Sequence, residues 1–224
     1  MYFLELEVNF AKTELIGLGV EDQLQRKAAD LLGCAIGKLP STYLGLPLGA
    51  NAGRRQTWKP VIDKVKKRLS GWKSKVLSRA GRLVLIKSVL NSLPMYFMSL
   101  FRIPKGVVRE IISIQRNFFW GQNGNRKSLP LVKWSVIQKP KSLGGLGVGD
   151  IIMRNNALLF KWWWRYYSVD GASWKNVISS IHFGEQCMGG LNLGSQRRWS
   201  PWADIVKLGR ADPTLKEGLL VVVG

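Results

Sequence analysis

Residues able to support catalysis are few and scattered in this chain of 224 residues. The fourteen acidic residues stand singly apart from the adjacent Glu21 and Asp22, so no Asp-Asp pair is present to hold two metal ions. His182 is the single histidine, and Cys34 and Cys187 lie far apart without spaced partners. These residues predict no catalytic triad, no metal site and no cofactor, and they favour free thiols over a disulfide.

The strongest functional signal is a net charge of +20, which is unevenly distributed. Residues 1–50 contain four Lys or Arg against six Asp or Glu, whereas residues 51–224 contain thirty against eight. A surplus of this size attracts polyanions, with nucleic acid first and anionic membranes second.

The apolar segments do not favour secretion or insertion into a membrane. The N-terminal segment has acids within its apolar run and lacks a basic region before it. The longest apolar stretch, Leu83–Phe101, is interrupted by charged, polar and proline residues. We therefore expect a soluble, intracellular protein without a membrane span, and the nucleus is one compartment in which it could act.

Hydrophobic periodicity predicts a strand-containing start followed by a longer helical part. Residues 2–20 and 41–49 are strand-like, and residues 21–33 have the spacing of a short helix. From Trp58 onward, apolar residues recur at offsets of 3, 4, 7, 11 and 14 positions, which places them on one helix face, and Thr57 is the expected cap. Further helices are predicted over residues 79–91, 107–120 and 152–167.

A dense run of basic residues accompanies the first of these long helices. Residues 54–87 contain twelve Lys or Arg and one acid, Asp63. A single lysine of this kind is most often a solvated side chain, but the cluster as a whole favours contact with nucleic acid. The candidate phosphate-binding residues are Lys64, Lys66, Lys67, Arg68, Lys73 and Lys75.

Three consecutive tryptophans, Trp162 to Trp164, lie on the last of the predicted long helices. Exposed aromatic rings can stack on bases, although packing in the core is the more common role of tryptophan. Because three adjacent residues cannot share one helix face, at least one of these rings is expected to point away from the core. The glycine-rich segment GGLGVG lacks the spacing of a nucleotide-phosphate loop.

Several segments, taken in order over about residues 6–180, resemble one protein family. This series is similar to the post-catalytic region of reverse transcriptases from plant non-LTR retrotransposons of the long-interspersed-element type. The likeness is specific because it is long and ordered. The segments are VNFAKTELIGLGV, LGC, KLPSTYLGLPLGA, RLSGWKSKVLSRAGRLVLIKSVLNSLPMYFMSLFRIP, IQRNFFWG, KWSVI and GGLGVGDI.

The resemblance implies roles for three residues near the start of the chain. In the family, a lysine after a short strand of the palm assists the departing pyrophosphate, and VNFAK places the matching residue at Lys12. Tyr43 and Gly45 match the turn that grips the primer backbone, where glycine permits close approach to a phosphate. The family's catalytic aspartates have no counterpart here, so the resemblance implies no catalysis by this chain alone.

The resemblance and the pattern together predict an α+β fold that is mainly α. Residues 1–50 would be a small β remnant of a polymerase palm, residues 51–170 a basic, thumb-like helical bundle, and residues 171–224 a weakly structured tail that looks truncated. A thumb contacts the backbone and shape of a template–primer duplex and not its sequence. The implied partners are therefore RNA or RNA–DNA duplex, bound non-specifically, and a complementary polymerase fragment.

Two alternatives remain open from the sequence. The chain could be a structural or protein-interaction remnant whose charge no longer serves nucleic-acid binding. It could also bind anionic membranes peripherally through its helices rich in tryptophan and lysine. Salt-dependent binding to duplex in the absence of vesicles distinguishes the first hypothesis from both.

Overall fold

The structure is a computed structural model that describes residues 9–71, 77–121, 130–169, 171–182 and 200–211. Its described part is mainly helical with two-stranded sheets, so the predicted α+β, mainly α, fold class is confirmed. The chain divides into two compact units, Met1–Asn51 and Ala52–Gly224.

The first unit combines short strands with one helix. β1 pairs in parallel with β2, and β3 pairs antiparallel with β4 as a hairpin. Helix α1 connects the parallel strands and ends at Gly33, whose φ of 64° is a backbone conformation that glycine adopts readily. The elements are a 3₁₀ turn at Phe10–Lys12, β1 at Glu14–Leu15, α1 at Asp22–Leu32, β2 at Ala35–Ile36, β3 at Ser41–Tyr43 and β4 at Leu46–Leu48.

The apolar residues that predicted α1 do not form a buried face in this structure. Leu24, Leu31 and Leu32 are exposed, with Leu31 at 88% of its full accessibility. Ala29 is the one buried hydrophobic side chain among the described residues of this unit. The spacing therefore identified the helix, but the described residues of this unit leave its apolar side chains largely uncovered.

The secondary-structure elements described in the second unit are all helical. Helix α2 packs on α5, α3 also contacts α5, and α7 contacts both α4 and α9. The helices are α2 at Arg55–Ser70, α3 at Arg79–Leu85 continued by a π-helical turn at Ile86–Leu90, α4 at Met95–Met98, α5 at Lys105–Trp120, α6 at Trp134–Gln138, α7 at Ile151–Ser168, α8 at Ser173–His182 and α9 at Pro201–Ala211.

Helix α2 buries the face that its periodicity predicted. Trp58, Val61, Ile62 and Val65 are buried, and the Trp58 indole Nε1 donates a hydrogen bond to the carbonyl of Ala52 at 2.7 Å. The helix begins at Arg55, so the prediction that Thr57 caps it was wrong. The residues from 54 to 56 are good helix formers, which lets the helix start before the threonine.

A π-helical turn follows α3 and brings a polar side chain into the core. The amide of Asn91 donates to the carbonyl of Ile86 at 3.0 Å, five residues earlier, which is the π-helical pattern. The Asn91 side chain then donates to the carbonyl of Val148 at 2.9 Å and accepts from Gln115 at 3.1 Å. This buried network joins the π-helical turn, α5 and the segment before α7.

Helix α7 is fixed by a buried asparagine and by its cap. Asn155 donates to the carbonyls of Met98 and Phe101 at 2.7 and 2.9 Å and accepts from the amide of Ile103 at 2.9 Å. The Asp150 side chain accepts hydrogen bonds from the first amides of α7. The segment between α4 and α5 is therefore held directly to α7.

Two helices, α8 and α9, lie between residues 171 and 224, where the sequence analysis predicted a weakly structured tail. Both of these segments are helical in the structure. Trp202, Ile205, Val206 and Leu208 of α9 are buried in a cluster with Leu159, Phe160 and Trp163 of α7. The sequence analysis did not predict these two helices, because each is short and its apolar residues are buried only by contact with α7.

Candidate nucleic-acid interface

The outer face of α2 presents basic side chains to solvent. Lys64, Lys67 and Arg68 are all exposed, and none of them forms an ion pair with another described residue. The opposite face of the helix is anchored by buried apolar residues, so the backbone that carries these cations is well supported. An exposed, unpaired row of cations on a packed helix is suited to contact successive phosphates.

Lys66 occupies a different electrostatic environment from its neighbours. Its ammonium group lies 3.0 Å from one carboxylate oxygen of Glu110 on α5, and Arg55 donates to the other oxygen at 2.7 Å. The hydrogen bond from Lys66, followed by that from Arg55, lowers the pKa of Glu110 below its usual range. Part of the positive charge of Lys66 is therefore already balanced within the unit.

The structure describes four of the six predicted phosphate-binding residues. Lys73 and Lys75 lie outside the described residues, since the structure describes residues up to 71 and resumes at 77. The structure therefore brings together Lys64, Lys67 and Arg68 on one helix and places Lys66 beside Glu110.

Tyr43 and Gly45 belong to the hairpin of the first unit. Tyr43 is exposed and pairs with Leu46 across the strands, leaving Leu44 and Gly45 as a two-residue turn. Both turn residues have positive φ, 50° for Leu44 and 78° for Gly45, as a type I′ turn requires. A leucine in this conformation costs about 1–2 kcal/mol, and its side chain is held exposed at the hairpin tip.

Lys12 lies at the end of the 3₁₀ turn before β1, and its side chain is exposed. Lys12, Tyr43 and Gly45 therefore belong to the first unit, whereas the candidate lysines of α2 belong to the second. The roles implied for these residues by resemblance stay predictions.

The consecutive tryptophans of α7 point in different directions, as the sequence analysis expected. Trp163 is buried and Trp162 is half-buried, with its Nε1 donating to the carbonyl of Ser99 at 2.7 Å. Trp164 is 52% exposed. Sequence reasoning alone could not show which of the three rings would face solvent.

The glycine-rich segment after α6 uses its amides internally. The amides of Leu146 and Val148 donate to the carbonyl of Ile137, while those of Gly147 and Gly149 donate to the carbonyls of Lys139 and Gln138. The Lys87 ammonium group donates to the carbonyl of Leu146 at 3.2 Å. These amides are not directed toward a common anion, so the segment has no phosphate-binding geometry.

Within the part of the chain that the structure describes, no group of three or more His, Cys, Asp or Glu residues is arranged to hold a metal ion. No helix in the described ranges combines the length and apolarity needed to cross a bilayer.

Sequence reasoning missed the arrangement around Glu110. Arg55 and Glu110 are 55 residues apart in the chain, and Lys66 and Glu110 are 44 apart. No local spacing signals such a pairing. The one available hint was that Glu110 is a lone acid within a predicted amphipathic helix in a basic region.

Comparison with known proteins identifies relatives in Arabidopsis thaliana. No protein-family model matches the chain. One relative, "Putative ribonuclease H protein At1g65750", is 38% identical over 132 residues, which cover 58% of this chain and 21% of that protein. The chain thus spans about a fifth of this relative's length. A second, "Uncharacterized mitochondrial protein AtMg00310", is 30% identical over 134 residues, covering 59% of this chain and 84% of that protein.

These relatives indicate a transposon-derived plant protein. The second match extends over most of the smaller relative and over the larger part of this chain. The chain therefore belongs to the family of the Arabidopsis mitochondrial protein AtMg00310.

Proposed function

We propose that this chain is the post-catalytic part of a retrotransposon reverse transcriptase and that its second unit binds RNA or RNA–DNA duplex through the phosphate backbone. Residues 1–50 would be a palm remnant with a primer-grip-like turn at Tyr43 and Gly45, and residues 51–170 the thumb-like region. The observation that carries the binding proposal is the exposed row Lys64, Lys67 and Arg68 on α2, which forms no ion pair with the described residues.

The charge and the packing of α2 support backbone contact over sequence recognition. Lysine and arginine provide charge and donors for phosphate oxygens, and such contacts position a protein without carrying sequence information. Asp63 is the one acidic residue of α2, and it also lies on the exposed side. Binding should therefore be similar for different sequences and strongly dependent on salt.

The proposal is tested by a matched pair of neighbouring substitutions. Lys67→Ala removes an unpaired charge, so affinity for duplex should fall for all sequences and the slope of log affinity against log salt should flatten by about 0.9. Lys66→Ala is the control, because its charge is already shared with Glu110. It should change the slope by clearly less. Binding is measured by fluorescence anisotropy over a salt series.

Two results would contradict the proposal. A wild-type salt slope near zero would remove the electrostatic basis altogether. If Lys67→Ala left both slope and affinity unchanged in a folded protein, the basic face of α2 would be only solvated.

Catalysis requires a separate measurement. Polymerase and ribonuclease chemistry on nucleic acid use metal ions held by clustered carboxylates. We expect no primer extension on an RNA template, and no cleavage of the RNA strand of a hybrid, by the purified chain with Mg²⁺ or Mn²⁺. Extension that survives repurification would overturn the assignment as a non-catalytic part. Cleavage specific to the RNA strand of a hybrid would instead show that this chain has the ribonuclease H activity for which the larger relative is named.

A second candidate function, binding to another polypeptide, is favoured by the first unit. Leu18, Leu31, Tyr43 and Leu44 are all more than 60% exposed, and such side chains could be covered by a partner polypeptide. A complementary polymerase fragment is the partner that the palm-remnant proposal requires. Co-expression with a palm segment that carries the aspartate pair should yield a stable complex if this is correct.

A further inference from the structure

The three consecutive tryptophans of α7 are used very differently by the fold. Trp162 donates its indole hydrogen to Ser99, and its ring lies 6.3 Å from that of Trp174 on α8. Trp163 is buried against α9, where a side chain at Gly209 would collide with the indole. Trp164 makes no ring contact and no indole hydrogen bond within the described residues, and it is half exposed. Packing therefore explains the positions of Trp162 and Trp163 but not the exposure of Trp164.

Basic residues border the exposed ring. Lys161 lies three positions before Trp164, close to one helical turn, and its side chain is exposed. Arg165 directly follows Trp164 and is also exposed, and its guanidinium lies 5.5 Å from the ring centroid of Trp162. Lys161 and Arg165 are four residues apart, a spacing at which like charges repel by a few tenths of a kcal/mol. Helix α7 contains no acidic residue to offset them. This surface therefore carries an uncompensated positive charge next to an aromatic ring.

A second exposed aromatic residue continues the surface. Tyr167 is 60% exposed and lies three residues after Trp164, about 4.5 Å further along the helix axis. The ring centroid of Tyr167 lies 4.9 Å from that of the buried Trp163, in an edge-to-face contact that holds the Tyr167 ring in place. We call Lys161, Trp164, Arg165 and Tyr167 the α7 platform.

We propose that the α7 platform binds single-stranded nucleic acid by stacking unpaired bases on Trp164 and Tyr167 while Lys161 and Arg165 contact the phosphates. Aromatic rings beside cations are the usual combination for binding single strands without sequence preference. Bases within a duplex are already stacked on each other, so the platform selects unpaired segments. The inference rests on the proposed function in that both require a nucleic-acid partner, but the site is separate from α2.

The exposed residues along α7 favour this partner over a membrane. A helix lying in a bilayer interface presents a continuous apolar stripe. Along α7, the charged Lys161 lies between the exposed apolar residues Met153 and Ala157 and the exposed Trp164, so the stripe is interrupted.

The test compares three probes with equal numbers of phosphates: an oligouridylate, an abasic oligomer and a blunt RNA duplex. Trp164→Ala should weaken oligouridylate binding about tenfold, because stacking on an aromatic side chain contributes on that scale, and should leave the other two unchanged. Trp164→Phe should retain most of the affinity. Lys161→Ala should weaken the oligouridylate and the abasic oligomer alike and flatten their salt slopes by about 0.7.

Three results would overturn the inference. Trp164→Ala could leave oligouridylate binding unchanged in a protein whose melting temperature is preserved. It could weaken the abasic oligomer as much as the oligouridylate, which would exclude stacking. It could impair binding to phosphatidylserine vesicles while sparing oligouridylate, which would assign the platform to membranes.

The two proposals fail in different ways. If Lys67→Ala weakens duplex binding while Trp164→Ala affects no probe, the α7 platform is wrong and the proposed function stands. If Trp164→Ala acts as expected and duplex binding is insensitive to Lys67→Ala, the contact of α2 with duplex is wrong and the single-strand site stands.

Discussion

The two units of this chain differ in how far their own side chains stabilise them. In the described residues of the first unit, Ala29 is the one buried hydrophobic side chain, and most large apolar residues are exposed. The second unit buries large residues from α2 to α9, including Trp58, Ile111 and Leu159, which are fully inaccessible. The second unit thus contains nearly all of the described core, whereas the described apolar side chains of the first unit face mostly outward.

The largest expected difference between the units concerns core truncation. Trp58→Ala should destabilise the second unit by roughly 3–5 kcal/mol, because it creates a cavity and removes the donor to Ala52. Leu31→Ala in the first unit should change stability by less than about 0.5 kcal/mol, because Leu31 is almost fully exposed. Urea denaturation followed by circular dichroism measures both. A comparable loss from the two substitutions would show that both units depend equally on these side chains.

A smaller loss of stability is expected when a buried side-chain hydrogen bond is removed. Asn155→Ala should cost about 2 kcal/mol or more, since it leaves the carbonyls of Met98 and Phe101 and the amide of Ile103 without partners. The corresponding side-chain hydrogen bond in the first unit is made by the half-buried Gln25, which donates to the carbonyl of Leu15 at 3.1 Å. Gln25→Ala should cost under about 1 kcal/mol. Equal losses in urea denaturation would show that these side-chain hydrogen bonds of the two units are equivalent.

The smallest effect tests whether surface charge adds to the stability of the second unit. Glu110 has a lowered pKa, so its ion pairs contribute fully above the ordinary glutamate pKa and are lost as the pH falls through the lowered pKa. Because Arg55 and Lys66 are largely solvent-exposed, the contribution should stay below about 1 kcal/mol. Glu110→Gln should therefore lower the melting temperature slightly at neutral pH.

The difference between wild type and Glu110→Gln should shrink on acidification and vanish below the lowered pKa. Asp63→Asn is the matched control, since Asp63 is exposed on α2 and has no ion pair with the described residues. A melting-temperature difference for Glu110→Gln that is independent of pH would exclude an ionic origin.

The helices of the second unit could be predicted from sequence because their periodicity is long and regular. The predicted helices over residues 107–120 and 152–167 correspond to α5 at Lys105–Trp120 and α7 at Ile151–Ser168. The π-helical turn was not predictable, because it depends on the hydrogen bonds that Asn91 makes with distant residues. Helix α9 was missed for the same reason, since its partner α7 lies more than thirty residues earlier.

The candidate interface could be predicted as a cluster but not residue by residue. Lys66 and Lys67 are adjacent lysines that sequence alone cannot distinguish, yet of the two it is Lys66 that contacts the carboxylate of Glu110. Likewise, the tryptophan run indicated that one ring would be exposed, and the positions of α8 and α9 decided that it is Trp164. Both distinctions arise from tertiary packing, which local spacing does not encode.

The glycine-rich segment after α6 has a consequence for hydrogen exchange. Four successive amides, from Leu146 to Gly149, donate to carbonyls of Ile137, Gln138 and Lys139, and Asn91 and Arg154 donate to the carbonyl of Val148. A segment with so many glycines would ordinarily exchange its amide hydrogens within seconds. Here exchange requires the segment to separate from α6 and Lys139. Because α6 packs into the core through Trp134 and Ile137, these amides should exchange together with the core helices in one cooperative opening.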